Sequence, residues 1–315
     1  MAGAARHEGR EALAAGVRTL RGGGLVIFPT ETVYGLAADA ANAEAVAKLY
    51  LAKGRPAFNP LIIHLSDWRL AARIARLDGR ALALISAFWP GPLTIVAPVA
   101  DEALVCALAR AGLDTVAVRA PRHPLAMALL DRFGGSVAAP SANRSGRPSP
   151  TTLADAVAET GDAASAAIDG GPCEVGLEST VLALLDGPPR LLRPGAVTRQ
   201  ELEAVIGPVA EALGDARRSP GRMARHYAPV SPLRLDAEAP ASGEAFLAFG
   251  ASPDGPRIFN LSPTANLAEA AANLFSYLRA ADALNPTAIA VAPIPPSGLG
   301  EAINDRLKRA AGRVG

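Results

Sequence analysis

Residues Glu8 to Arg21 alternate small, apolar and charged side chains at helical spacing, and Gly22-Gly23-Gly24 ends the run before an apolar stretch, Leu25 to Phe28, with strand character. Where that strand should run on into core, the chain turns polar, as PTETVYG, with Thr30, Glu31, Thr32 and Tyr34 at its end. From Asn42, a good N-cap, Val46, Leu49 and Tyr50 make a helical stripe that stops at Lys53-Gly54-Arg55-Pro56. The loop Lys53 to Pro60 feeds a strand at Leu61 to Leu65. Short runs rich in β-branched residues follow at Leu93 to Val99, Thr115 to Val118, Ser136 to Ala139, Thr180 to Leu185 and Leu191 to Leu192, several with helical stretches between them. The pattern predicts an α/β fold, a twisted open sheet carrying helices. It closes on Thr198-Arg199-Gln200-Glu201, a capping box opening a helix expected to bury Leu202, Val205 and Ile206.

Periodicity fades after that helix. Residues 207–232 are rich in Pro, Gly and Arg and read as a linker, including RRSPGRMARHYAPVSP. Beyond it come strand-like pieces at Leu233 to Leu235, Ala245 to Phe249 and Ile258 to Leu261. A helix with Leu267, Ala271, Leu274 and Leu278 on one face, a strand at Ala288 to Ala292 and a last helix complete a second, smaller α/β unit. The expected organisation is a domain at 1–206, a linker at 207–232 and a C-terminal domain at 233–315, the last small enough to lean on its neighbour.

Composition supports two cores. The chain has 315 residues, half of them apolar and 19% charged, more than one compact core usually holds. The uncharged run Ala81 to Ala100 is long enough to suggest a membrane span, but Trp89-Pro90-Gly91-Pro92 interrupts it, so helix, turn and strand are expected instead. The N-terminus has charges where a signal peptide needs an apolar block, so no membrane association and a cytoplasmic location are expected. Cys106 and Cys173 stand far apart, in no metal-binding pair. A net charge of +1 gives no global field for nucleic acid. Only Lys48, Lys53 and Lys308 are lysines among 31 basic residues, which singles out Lys53 in its loop.

Polar residues gather at strand ends and loops of the first domain, where open α/β sheets bind ligands. Lys53, Arg55, Arg119 and Arg193, with His64 beside them, would form an anion site if they converged. Thr32, Ser141, Asn143, Ser149, Ser179 and Thr180 could fix a polar ligand, although SANRSGRPSP is also ordinary turn sequence and His64 could be a satisfied strand histidine. G-x-G-x-x-G, the P-loop, G-x-S-x-G and H-E-x-x-H are all absent, which sets aside dinucleotide, Walker-type, serine-nucleophile and zinc chemistries.

Six blocks in fixed order, FPTETVYGL, KGRPAFNPLIIH, FWPGPLT, APSANRSGRPSPT, GLESTV and RPGAVT, resemble the YrdC-type domain of threonylcarbamoyl-AMP synthases over about Gly22 to Thr198. SPGRMARHYAP resembles the linker of the long, two-domain members, which carry a smaller Rossmann-like α/β C-terminal domain; Arg222-Met223-Ala224 departs from the usual linker pattern. The resemblance implies a nucleotidyltransferase that joins L-threonine, bicarbonate or CO2, and ATP into threonylcarbamoyl-AMP, releasing pyrophosphate, for tRNA threonylcarbamoyladenosine. It implies Lys53 and Arg55 as catalytic residues and a threonine pocket of Thr32, His64, Arg119 and Ser179. Arg55, Asn59, Thr115, Ser141, Asn143, Ser149 and Arg193 would bind ATP, with Tyr227 from the linker. Tyr34 would line the wall, and Glu31 has no assigned part. Tyr227 and Arg225 would fold over the site as a lid. Mg2+ would come with ATP, with no protein metal site; tRNA or the downstream tRNA threonylcarbamoyltransferase proteins are the candidate macromolecular partners. The alternative is an RNA-binding or ribosome-assembly module using the same basic cleft, against which near-neutral charge and 4% aromatic residues argue.

Overall fold

The computed structural model describes residues 5–7, 9–212 and 226–312. The first unit's strands are β1 (Ala5–His7), β2 (Val26–Phe28), β3 (Gly35–Asp39), β4 (Ile62–His64), β5 (Leu93–Pro98), β6 (Thr115–Arg119), β7 (Val137–Ala138), β8 (Ala166–Ile168), β9 (Thr180–Ala183), β10 (Arg190–Arg193) and β11 (Ala210–Glu211). They form one mixed sheet in the order β1-β8-β2-β3-β7-β4-β6-β5-β9-β10-β11. The β2–β3 and β5–β6 pairs are antiparallel, whereas β4–β6 and β5–β9 are parallel.

Helices cover the two halves of this sheet differently. On one side, α1 (Gly9–Arg21) packs Leu13, Val17 and Leu20 with Leu129 and Leu130 of α5 (Pro124–Phe133) against Val26 and Phe28. On the other, α2 (Ala43–Lys53), α3 (Trp68–Ile74), α4 (Gly79–Phe88), α6 (Leu153–Thr160) and α7 (Arg199–Ile206) contribute to the main core. Beyond β4, the opposite face carries only a small apolar floor: Ile62, Val96, Ala117, Val181, Ala183 and Leu192. These residues alternate along their strands with main-core residues such as Ile63, Ile95, Val118 and Leu182, which is why the sheet there has one packed and one open face.

Local signals explain how the chain reaches this floor. Asn42 accepts from the N–H groups of Glu44 and Ala45 to start α2, and Gly54, at φ 57°, ends it in the left-handed conformation. Lys53 is thereby the last residue of the helix and Arg55 the first of the loop. The Ala81–Ala100 run divides as expected, into α4 ending at Phe88 and β5 beginning at Leu93. Among the described residues no helix is long and apolar enough to cross a membrane. The capping box of Thr198 and Glu201 is present, but α7 buries only Leu202, with Ile206 packed beside it; Val205 lies outside that single apolar stripe and is exposed.

The segment read as linker begins by adding β11 in parallel to β10, which extends the sheet past the expected boundary at residue 206. Four parallel strands, β12 (Leu233–Arg234), β13 (Ala245–Ala248), β14 (Ile258–Asn260) and β15 (Ile289–Val291), then form a second sheet, ordered β12-β15-β13-β14. Against it pack α8 (Leu267–Ala283) and α9 (Leu299–Ala310). Val33, Leu177 and Tyr227 belong to the same hydrophobic cluster, so this small core is completed by residues from the first unit and the linker.

Candidate active site

The end of β2, the end of β6 and the loops before β9 and after β10 meet over the floor. There Thr30, Thr32, Arg55, Ile62, His64, Arg119, Ser141, Glu178, Ser179, Arg193, His226 and Tyr227 line a cavity with about 50 Å3 of free space. That is small beside the roughly 300 to 1,000 Å3 of pockets that hold drug-sized ligands.

The residues expected around threonine converge at this cavity. Thr30 Oγ1 donates to the Val33 carbonyl at 2.7 Å, so in its 2.8 Å contact with Thr32 the proton belongs to Thr32. The lone pairs of Thr32 are left as acceptors. His64 Nδ1 lies 3.2 Å from the Ile62 carbonyl, a contact in which only nitrogen can donate, leaving Nε2 as an acceptor. Burial, and then the charge of Arg119, push His64 down to about 3, so it is neutral at physiological pH. Ser179 Oγ sits 2.7 Å from Thr94 Oγ1. Arg119 donates to Gly91 O at 3.2 Å and forms a buried 2.7 Å ion pair with Glu31.

Glu31 therefore has a part that the sequence did not reveal. Its second oxygen accepts the Arg122 N–H at 3.0 Å. Burial alone would raise its carboxyl, but Arg119 and the Arg122 amide outweigh that and hold it below the ordinary value. Tyr34, expected on the wall, instead donates its hydroxyl to Gly171 O at 2.8 Å and accepts from Gly170 N at 3.1 Å. It ties down the 169–171 loop because a buried phenol must find partners.

The cationic half is more unusual. Arg55 donates to the carbonyls of Asn59 and Pro60, at 3.1 and 2.8 Å, and Arg193 to Ser179 O and Oγ, at 2.9 and 3.2 Å. Among the described residues neither guanidinium has a salt bridge to a carboxylate. Burial pulls Arg55 to about 10 and lowers Arg193 as well. Lys53 does not line the cavity. It lies behind it, donating Nζ to the carbonyls of Ser141 and Asn143, and burial first, then Arg55, press its pKa well below the usual lysine range. Asn143 donates to Arg144 O and Arg147 O, and Ser149 donates to Glu178. Among the described residues, Asn59 Oδ1, Asn143 Oδ1, Ser145 Oγ, His226 Nδ1 and Tyr227 Oη are buried without partners, and of these His226 and Tyr227 line the cavity.

Thr115 is not brought to this cavity. It stands at the opposite end of β6 from Arg119, about 13 Å along the strand, and lines a second hollow with Val96, Asp114, Ala183, Arg190 and Leu192. Thr115, Ala117 and Arg119 nevertheless share one face of β6, so the apolar floor runs between the two hollows.

The cavity's roof is the end of the linker. Tyr227, 1% exposed, holds a left-handed φ of 63° and packs 5.5 Å from the Phe275 ring, while Ala228 N donates to Gly146 O at 2.7 Å. His226 lies 4.0 Å from the Tyr227 ring. Arg225 and Arg222-Met223-Ala224 lie outside the described residues.

Residues 18–195 match the Sua5/YciO/YrdC family model, described as telomere recombination, and residues 197–312 match the C-terminal domain of threonylcarbamoyl-AMP synthase. A threonylcarbamoyl-AMP synthase of Bacillus subtilis is 41% identical over 93% of this chain and 91% of its own length. The chain belongs to the threonylcarbamoyl-AMP synthase family. Another member, from Pyrococcus abyssi, is 39% identical over 93% of this chain and 92% of its own. The crystal structure of P. abyssi Sua5 complexed with L-threonine superposes with a TM-score of 0.89 at 36% identity, covering 98% of this chain and 96% of that one. The two-unit architecture, a mixed α/β sheet followed by a smaller parallel one, is thus shared with the P. abyssi protein.

Proposed function

We propose that the protein is an L-threonylcarbamoyladenylate synthase, converting L-threonine, bicarbonate or CO2, and ATP to threonylcarbamoyl-AMP and pyrophosphate for tRNA threonylcarbamoyladenosine. The observation that carries this beyond family membership is the pair Arg55 and Arg193, the first half-buried and the second buried, whose guanidiniums are held only by neutral oxygens. A buried charge without a counter-charge is costly, and a polyanionic substrate supplies the missing one.

The amino acid would occupy the Thr32, His64, Arg119 and Ser179 end, its carboxylate on Arg119, which Glu31 and Gly91 hold in one orientation. With its pKa near 3, His64 is too weak a base to strip a threonine ammonium, so its part is orientation through Nε2. The deprotonated amine captures CO2 as a carbamate. A carbamate oxygen then attacks the α-phosphorus of ATP, forming the O–P bond of the adenylate as the bond to pyrophosphate breaks. No protein nucleophile takes part. Fixing the two reactants can supply about 7 to 11 kcal/mol, and Arg55 and Arg193 offset charge on the α-phosphoryl group and the leaving pyrophosphate.

Lys53 would serve this step by holding the Ser141–Asn143 backbone, and Ser141, Asn143, Ser149 and Asn59 would contact the nucleotide around it. The base would lie along the floor toward Thr115, which accounts for a nucleotide residue outside the main cavity. Mg2+ would enter as part of the MgATP substrate, held mainly by the triphosphate oxygens, since Glu178, the one carboxylate on the cavity wall among the described residues, is engaged by Ser149 and Arg306. Tyr227, on the cavity's roof, would swing out to admit ATP and back to keep water from the adenylate. The test is pyrophosphate release with each reactant omitted in turn: release that needs threonine, bicarbonate and ATP together is expected, and release without threonine defeats the proposal.

A further inference from the structure

Glu178 is out of place in an anion site. Its carboxylate lines the cavity, and the charge of Arg193 reaches it. Left alone it would repel a triphosphate and draw Arg193 away from it. A hydrogen bond from its own domain and a cation from the other prevent this. Ser149 donates to Glu178 Oε1, and Arg306, on α9, donates Nε to Oε2 at 2.9 Å. Arg306 is fully buried. Its Nη1 donates to Pro194 O at 2.8 Å, fixing the residue after Arg193, and to Asp305 at 2.9 Å. Its guanidinium lies 5.4 Å from the centre of the Tyr227 ring, within cation–π range, and its Nη2 has no partner among the described residues. One side chain thus touches Glu178, the backbone beside Arg193 and the roof of the cavity.

We infer that Arg306 is a positioning residue of the nucleotide half of the site: by neutralising Glu178 it leaves Arg55 and Arg193 for the triphosphate, and through Pro194 and Tyr227 it sets the geometry around them. This rests on the ATP reading above. Burial works against the charge of Arg306, but Tyr227, Glu178 and Asp305 outweigh it and raise its pKa, so the cation persists at any working pH. Glu178 is held as carboxylate by the same contact, with burial opposed chiefly by Arg306 and Arg193. The C-terminal domain is on this account a structural part of the active site, supplying a cation that the first domain lacks at that position.

The discriminating feature is selectivity. Arg119 has its own anchor in Glu31, and Ser179 is tied to Thr94 as well as to Arg193, so the threonine end should feel the loss of Arg306 far less than the nucleotide end. Titration calorimetry on the full chain reads ATP and threonine binding separately. Arg306→Met should weaken ATP binding about 10- to 100-fold and leave threonine within about twofold, because a buried carboxylate then stands unpaired beside the phosphates. Arg306→Met combined with Glu178→Gln, which removes that charge, should recover most of the loss. Should Arg306→Met fail to fold, Arg306→Lys is the arm to read: it keeps the cation, and ATP binding weakened severalfold with threonine unmoved supports the inference. Equal losses of ATP and threonine affinity, or no recovery in the double variant, mark a folding role and overturn it. Wild-type protein that binds no ATP overturns the ATP reading and the inference together; wild type that binds ATP no better than Arg306→Met overturns the inference alone.

Discussion

Lys53 and Arg55 flank Gly54 and meet opposite demands. Arg55 faces the cavity with only neutral partners, whereas Lys53 turns behind it to hold two carbonyls of the Ser141–Asn143 loop. Losing such a charge-assisted tether costs roughly 1.5 to 3 kcal/mol, so Lys53→Met should lower turnover about 10- to 100-fold, read by pyrophosphate release. Unchanged turnover would remove Lys53 from the mechanism. Glu31→Gln should act on the other substrate: Arg119 loses its buried counter-charge, and the KM for threonine should rise at least about tenfold while that for ATP stays put. The two buried histidines set a pH dependence. His64 and His226 are pushed by burial to about 3 from 6.5, so between those values the unfolded chain binds protons that the folded chain does not. Their contribution to stability is complete above about pH 6.5 and is lost as pH falls, at up to about 1.4 kcal/mol per pH unit for each. Urea midpoints should therefore drop below about pH 6.5, and a midpoint flat down to about pH 5 would contradict the assignment of neutral, buried rings.

Among elements, the strands and helices follow from periodicity and caps, because alternation and capping residues are local signals: Asn42, Gly54 and the Thr198–Glu201 box stand where they were legible. Site residues on strand ends were legible in two ways, Thr32, His64 and Ser179 from the ordered blocks that resemble the family and Arg119 as a charge ending an apolar strand, and they meet at one cavity. Glu31 and Glu178 were not, since a carboxylate's partner across the fold leaves no trace in spacing: Arg119 is 88 positions from Glu31, and Arg306 is 128 from Glu178. Tyr34 misled for a related reason, an aromatic beside a polar run whose hydroxyl turned out to serve a loop. Tyr227 roofs the cavity in a left-handed conformation that non-glycine residues adopt only when surroundings enforce it. Tyr227→Ala should open the cavity and raise the share of adenylate lost to hydrolysis severalfold, measured as AMP formed per pyrophosphate; an unaltered ratio would sink the lid.

At the scale of the molecule, the two units share more than a chain. Thr151 meets Ser276 at 2.7 Å, Arg279 pairs with Glu159 at 2.9 Å and donates to Pro148 O, and Asp282 accepts the amides of Val230 and Ser231. These contacts from α8 fall on the loop that carries Ser149, on α6 and on the end of the linker. Truncation after Gly207 should accordingly weaken ATP binding or raise product hydrolysis, and an enzyme indifferent to it would show the second unit to be dispensable. Of the site's cations, Lys53, Arg119 and Arg193 are buried and Arg55 is half-buried, so their charge is held in and behind the cavity rather than spread over a surface.

The central claim is that the cavity joins a carbamate, not the amino acid's own carboxylate, to the α-phosphorus of ATP. Mass spectrometry of the product formed from ATP, threonine and carbon-labelled bicarbonate tests it directly. The label should appear in an adenylate that also contains threonine. An unlabelled threonyl adenylate, or AMP with no adduct, would contradict the account.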